Sequence, residues 1–345
     1  MNSHLSRWGC FGSLLALILL LPVPAPAAEA TAETPQVNEE QEAETAADAD
    51  DGQQDTDSKL DRHKRFMDTQ VQRASRWIDG FFVDSNYRAE TSHNQLRVRP
   101  ELYYRDEQGA EVKTKLQARI QLPNLGHRIS LLAGADEDDV RSGEFANDEN
   151  QNRMAGLQFL LSDSEKWHTS IVAGFKFGGF AFFLGPRLRY QTAINDRTLI
   201  RLTETVRWQT NNYWDIGSRG DLYYVLNDRL YFRQTLHVRW RGENDDEEGV
   251  LTELSSVLSQ RLSPTAGLQY DFSTVFHTQP DTHVDKYTLS LRYRKQTQRE
   301  WLYYEIAPQV AFEDEFGFKA NPGIRLRVEF FYGGVKSDDA EEFRW

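Results

Sequence analysis

The sequence predicts an all-β protein: an antiparallel, up-and-down transmembrane β-barrel of about fourteen strands, preceded by a short amphipathic helix. Three observations carry this. From Asn94 onward, residues alternate with period two, apolar on one parity and charged or polar on the other. Turn-forming residues interrupt the alternation again and again, as repeated hairpins require. No segment beyond the first 28 residues is apolar enough for a spanning helix, in keeping with a mean hydropathy of −0.65, so any membrane crossing must be made by strands.

The clearest single strand is Gly323 to Tyr332, GIRLRVEFFY. Ile324, Leu326, Val328, Phe330 and Tyr332 share one face, and Arg325, Arg327 and Glu329 share the other. Bulky apolar residues at every position of one face, ending in an aromatic and opposed by charge, suit a strand with lipid outside and water inside. Asn321, Gly323, Leu326 and Val328 match the polar, glycine and alternating apolar pattern of an assembly signal. In this the stretch resembles the closing strand of bacterial outer-membrane β-barrels. The resemblance implies an assembly signal in Gly323, Leu326, Val328, Phe330 and Tyr332, location in the outer membrane among lipid and lipopolysaccharide, and the barrel-assembly machinery as a partner.

Taken in order, the chain begins with an expected signal peptide over 1–28. Arg7 supplies the positive region, Ser13 to Val23 the apolar core, and Ala25-Pro26-Ala27-Ala28 the small residues for cleavage. Cys10, the only cysteine, lies inside it, so the mature chain is expected to hold no disulfide and no cysteine-based metal site. Residues 29–60 read as a disordered acidic periplasmic tail. With Asp61 included, the stretch carries twelve acidic side chains and one base, Lys59, and too little apolar area to offset ordering entropy. With −13 on the whole chain, +1 on the first 28 residues and −11 on 29–61, residues 62–345 carry −3. The acidity belongs to the tail.

An amphipathic helix is expected over 61–80. Leu60, Met67, Val71, Ala74 and Ile78 form its stripe, Asp61 its N-cap and Asp79-Gly80 its stop. Followed by Phe81, Phe82 and Val83, it could plug the barrel mouth or rest on the inner membrane interface. Its apolar stripe favours the interface, because a wet lumen would not reward it.

The barrel is expected over 94–332. Its first two strands are 96–105 and 111–122, joined by a turn at Gly109 that sets Arg105 against Glu111, Glu101 against Lys115 and Arg97 against Arg119. The others are 128–134, 153–162, 167–177, 182–192, 198–209, 221–227, 230–241, 250–261, 266–277, 285–296, 301–312 and 323–332. Strands 128–134 and 221–227 have the weakest alternation, which leaves twelve or sixteen as alternatives. Connections after even strands are short and should face the periplasm. Several after odd strands, as in Ala135 to Asn152, Asn211 to Gly220 and Gly242 to Gly249, are longer and should face outside. Tyr104, Trp208 and Trp240 at one rim, and Tyr190, Tyr293 and Tyr332 at the other, are placed for interfacial girdles. Glu204 breaks the pattern, since its parity puts a carboxylate among Leu202, Val206 and Trp208. It must face protein, lie near headgroups, or mark a slip in register. Residues 333–345 form a C-terminal tail.

The inward parity gathers seventeen bases against seven acids. The candidate anion-binding set is Arg97, Arg99, Lys113, Lys115, Arg119, Arg187, Arg189, Arg233, Arg239, Arg292, Arg294, Arg325 and Arg327, joined by Lys176, Arg201, Arg207 and Lys286. The acids are Glu101, Glu111, Asp221, Glu253, Asp271, Glu305 and Glu329. Such a lumen should be positive, and guanidinium forks suit carboxylate or phosphate. In chemistry it resembles the basic lumens of anion-selective and acidic-sugar porins, which implies passive passage of small anionic solutes. A salt-bridged interior without conduction, serving assembly, adhesion or envelope organisation, is the alternative.

A lipid-hydrolysing enzyme is a third reading. His168 and Ser170 have the spacing found in outer-membrane phospholipase A and the lipid A deacylases, but their parity is inward. No cofactor or metal is expected. Asp136 to Asp139 reads as a solvated loop, Gly178-Gly179 and Gly333-Gly334 read as turn glycines without a phosphate-binding helix, and an exported acidic protein is not expected to bind nucleic acid.

Overall fold

The computed structural model describes residues 77, 81–82, 94–121, 128–135, 153–164, 166–177, 181–210, 213–242, 249–279 and 281–332. The expected signal peptide, acidic tail, C-terminal tail and Asp136–Asp139 lie outside these, as do the residues of the expected helix other than Trp77. Fourteen strands form one closed antiparallel barrel. They are β1 (Asn94–Arg105), β2 (Gly109–Gln121), β3 (Ile129–Ala135), β4 (Arg153–Asp163), β5 (Trp167–Lys176), β6 (Ala181–Asn195) and β7 (Thr198–Gln209). The second half is β8 (Tyr213–Asn227), β9 (Leu230–Arg241), β10 (Val250–Ser263), β11 (Ala266–His277), β12 (His283–Gln296), β13 (Leu302–Glu313) and β14 (Ala320–Tyr332).

Each strand pairs with its neighbours in sequence, and β14 closes on β1, with Leu102 opposite Leu326 and Glu101 opposite Arg327. Closure leaves no unpaired edge, which is what allows strands to stand in hydrocarbon where water cannot satisfy the backbone. A Gly-Ile-Arg-Leu-Arg-Val alternation therefore does two things in β14: it completes the ladder on both sides and sorts its side chains between lipid and lumen.

The sorting inverts that of a soluble protein. Leu102 is 42% exposed and Leu326 40%, whereas Arg97 is 2% and Arg294 1% exposed. Apolar residues on the outer wall and guanidinium groups inside define a transmembrane barrel of the outer-membrane type. At the rim formed by the β4–β5, β6–β7 and β12–β13 turns, Trp301 stacks on Phe330 and Tyr332, Tyr293 meets Tyr304, and Trp167 meets Tyr190. At the opposite rim Tyr104, Trp208 and Trp214 face outward. These are the two interfacial girdles.

Turn chemistry explains the short connections. Asn195 and Asn227 each accept the backbone N–H two residues on, from Arg197 and Arg229, so the Asn-Asp pairs close the β6–β7 and β8–β9 hairpins as Asx turns. The first hairpin corrects the expected register. Its turn occupies only Asp106–Gln108, with Gly109 at φ 77, so Arg105 faces Gly109, Glu101 faces Lys113 and Arg97 faces Gln117. The slip is two residues, which preserves sidedness and removes the expected Arg97–Arg119 repulsion.

The second correction concerns 211–220, which belongs mostly to β8 and not to a long loop. Trp214, Ile216, Ser218 and Gly220 alternate outward there, and Gly217 and Gly220 dilute the apolar signal in the sequence. Glu204 does lie on the outer wall, with no slip in register: it pairs with Ser218 across the sheet and accepts that hydroxyl's hydrogen bond at 2.6 Å. A local donor offsets part of the desolvation of an outward carboxylate.

Because Leu326 sits midway along β14 and Val112 near the rim end of β2, their replacement by arginine should differ in cost. Leu326→Arg should destabilise the folded barrel by about 2–4 kcal/mol and Val112→Arg by about 0–1 kcal/mol, read from denaturant unfolding in lipid vesicles. Equal costs would contradict this placement in the bilayer.

Candidate functional site

The inner wall divides into two electrostatic regions. Over β11 to β2 the acids and bases are interlocked. Glu305 on β13 receives Arg325 at 2.8 Å, with Arg327 at 3.4 Å and Arg294 at 3.5 Å. Glu329 on β14 receives Arg294 at 2.7 Å and lies 4.0 Å from Arg97. Glu101 on β1 receives Arg327 at 2.7 Å, is bonded by the Tyr103 hydroxyl, and has Lys115 at 3.8 Å. Glu313 holds Lys286 at 2.9 Å and Arg105 at 3.3 Å, and Asp271 lies 3.7 Å from Arg292. Buried charges are tolerated only when paired and hydrogen-bonded, and this wall meets that condition through neighbouring strands.

Over β6 to β9 arginines again outnumber acids, and here they line a cleft. A cleft of about 630 Å³, open solvent included, is lined by Arg187, Arg189, Arg201, Arg207, Arg219 and Arg239. Its acids are Asp215 and Asp221. Asp215 accepts from Arg239 at 2.8 Å and from Gln209 at 3.1 Å. Asp221 accepts from Arg219 at 2.9 Å and from the Thr235 hydroxyl at 2.7 Å. Among the described residues, six guanidinium groups line this cleft with two carboxylates. Arg187 on β6 and Arg207 on β7 also border an apolar strip, where Leu132, Met154, Val172 and Phe183 pack together on the lumen side. Arg207 lies over the Phe183 ring at 5.8 Å.

At the short-turn end the lumen holds an aromatic seat. Trp77, Phe81 and Phe82 are buried against Leu199, Tyr223 and Tyr231, with Val225 and Tyr303 at the margin. Trp77 stacks on Phe81 at 5.4 Å, meets Tyr231 at 5.4 Å, and carries the Arg261 guanidinium over its ring at 5.3 Å. Gly267 on β11 is part of the seat: a Cβ there would stand 2.7 Å from Phe82 and 2.9 Å from Phe81. These three aromatics therefore occupy the barrel mouth, a correction to the expected placement of Phe81 and Phe82 at the membrane interface. The lumen is not uniformly wet. Its wall supplies apolar side chains at the turn end, and burial of three rings outweighs what an interfacial position offers.

The thirteen bases proposed from sequence all take the lumen side. Arg97, Lys115, Arg292, Arg294, Arg325 and Arg327 belong to the interlocked wall, and Lys113 pairs with Glu111 at 3.0 Å near the rim. Arg99 donates to Gln117 and Arg119 to Gln158. Arg187, Arg189 and Arg239 line the cleft, and Arg233 is buried on the same wall, opposite Tyr223 and Val257. Asp215, Arg219 and His237 are cleft residues that sequence reasoning did not single out. The signal for the first two was the weak alternation of 213–220; His237 continued the inward parity of β9.

His168 and Ser170 also face the lumen, both buried. His168 Nδ1 meets Asp163 at 3.1 Å, and Ser170 accepts from the Gln158 amide at 3.0 Å, which itself accepts from Arg119 at 2.7 Å. A hydroxyl inside the lumen and tied into a wall network is remote from an acyl ester in the bilayer.

No family model and no curated protein matches the chain. Solved structures with which it shares the barrel include a KdgM porin in complex with disordered oligogalacturonate, at 7% identity and TM-score 0.36 over 68% of this chain and 98% of that one. Others are a loop-deletion form of OmpT, an outer-membrane protein of Vibrio cholerae (7%, TM-score 0.48, 70% and 99%), and the outer-membrane channel DcaP of Acinetobacter baumannii (7%, TM-score 0.46, 70% and 96%). What these likenesses concern is fold.

Filling Gly267 tests the aromatic seat. Gly267→Leu should unseat Phe81 and Phe82 and raise the protease sensitivity of the chain around Trp77 at least roughly tenfold, which corresponds to about 1.4 kcal/mol of local opening. Cleavage at the wild-type rate would contradict the packing.

Proposed function

We propose that this chain is an outer-membrane channel for small anionic solutes, favouring those with an apolar portion, and that its periplasmic mouth is controlled by the segment bearing Trp77, Phe81 and Phe82. The observation that carries the reading is the lining of the cleft, where six arginines stand beside two aspartates among the described residues. In a narrow passage with low-dielectric walls, such an excess concentrates anions and repels cations. The strip of Leu132, Met154, Val172 and Phe183 beside Arg187 and Arg207 gives an amphipathic carboxylate both a fork for its charge and a surface for its body.

The aromatic seat supports a second reading, a barrel that does not conduct, because three rings packed into the mouth obstruct it. Planar-bilayer recording separates the two. Under a salt gradient, a Trp77→Ala/Phe81→Ala/Phe82→Ala variant should conduct more than the wild type, with a reversal potential of anionic sign. Arg187→Glu/Arg207→Glu in that background should lower the anion-to-cation permeability ratio several-fold. Silence of both proteins would support the closed barrel, and cation preference in the aromatic variant would overturn the charge reading.

A further inference from the structure

The opposite mouth carries a cluster with different chemistry. His277 ends β11, His283 begins β12, and the two pair directly across the hairpin with rings 6.2 Å apart. The register then slips: Val275 faces Lys286 but Phe276 faces Val284, so Asp285 is an extra residue in a β-bulge. Bulges re-aim side chains, and this one brings the Asp285 carboxylate to both imidazoles. Asp285 Oδ1 lies 3.0 Å from His283 Nε2, and its Oδ2 contacts His277 Nδ1. The three donor atoms lie within 4.8 Å of one another. Lys286, the adjacent cation, is turned to Glu313 at 2.9 Å.

The convergence of three donor atoms points to a ligand, and the tautomer of His283 fits it. Its Nδ1 lies 2.7 Å from the Asp281 carbonyl oxygen, which can only accept, so Nδ1 carries the hydrogen. In neutral imidazole Nε2 then bears a lone pair aimed at a carboxylate oxygen. Two acceptors 3.0 Å apart repel unless a proton or a metal cation lies between them. A carbonyl that fixes the far nitrogen of an imidazole is also the usual outer support of a metal-bound histidine. We infer that His277, His283 and Asp285 form a site for a first-row divalent transition cation such as Zn²⁺, Ni²⁺ or Cu²⁺ at the outer mouth of the barrel. Two imidazoles and one carboxylate suit these ions, whereas Ca²⁺ and Mg²⁺ call for oxygen ligands. Among the described residues the site offers three protein ligands.

The test uses the full mature chain without a histidine tag, folded in detergent, stripped with chelator and titrated at pH 8 with Zn²⁺ by calorimetry and with Cu²⁺ by electron paramagnetic resonance. The expected result is one Zn²⁺ per barrel, weakened at least tenfold by His283→Gln and abolished by His277→Ala/His283→Ala, with imidazole nitrogen couplings in the Cu²⁺ spectrum. Asp285→Asn should also weaken binding, while His168→Ala should leave it unchanged. Because His283 lies at the exposed start of β12, His283→Gln keeps the comparison valid if the double variant fails to fold. Equal binding by wild type and His283→Gln, or a Cu²⁺ spectrum without imidazole couplings, would overturn the site and leave a protonated histidine as the cation between the two acceptors.

Discussion

The constraint on which the rest depends is that a polypeptide in hydrocarbon must satisfy every backbone N–H and C=O from within. The β1–β14 ladder is where this chain meets it, joining residues more than two hundred positions apart. Once the sheet is closed, each strand has only an outward and an inward parity. The lipid face is then filled by Leu, Val, Ile and aromatics, and every ionisable group except a few, such as Glu204, must go inside or to the rims. An interior crowded with arginine is a consequence of closure as much as of function.

That crowding creates an electrostatic problem that the two walls resolve differently. Across β11 to β2 the three glutamates Glu101, Glu305 and Glu329 sit among Arg97, Arg292, Arg294, Arg325 and Arg327, so desolvation is offset by short, charge-assisted hydrogen bonds from Arg294, Arg325 and Arg327 and by longer ion pairs from Arg97 and Arg292. The pattern ties together the strands on either side of the β1–β14 seam. Across β6 to β9 two aspartates stand among six arginines of the described cleft lining.

The two ends of the lumen differ in kind. At the turn end the wall offers Leu199, Tyr223 and Tyr231 and the hollow at Gly267, which receive aromatic rings from a segment preceding β1. At the loop end it offers imidazoles and a carboxylate on a bulged hairpin. One mouth buries aromatic rings and the other carries imidazoles and a carboxylate, so the two ends differ in chemistry.

Sidedness was legible in the sequence because it is a local property: Ile324, Leu326 and Val328 against Arg325 and Arg327 declare the two faces within a few residues, and a register error of two in the first hairpin leaves every face unchanged. The strand at 213–220 was hidden because glycines carry no apolar signal. What only the tertiary structure decided is which charges cancel and which rings meet. Glu101 finds Arg327 at a separation of 226 residues, and Trp77 finds Tyr231 across the lumen. Periodicity assigns a side chain to a face, but its partner on that face depends on closure, register and bulges, which bring together residues that no sequence window contains.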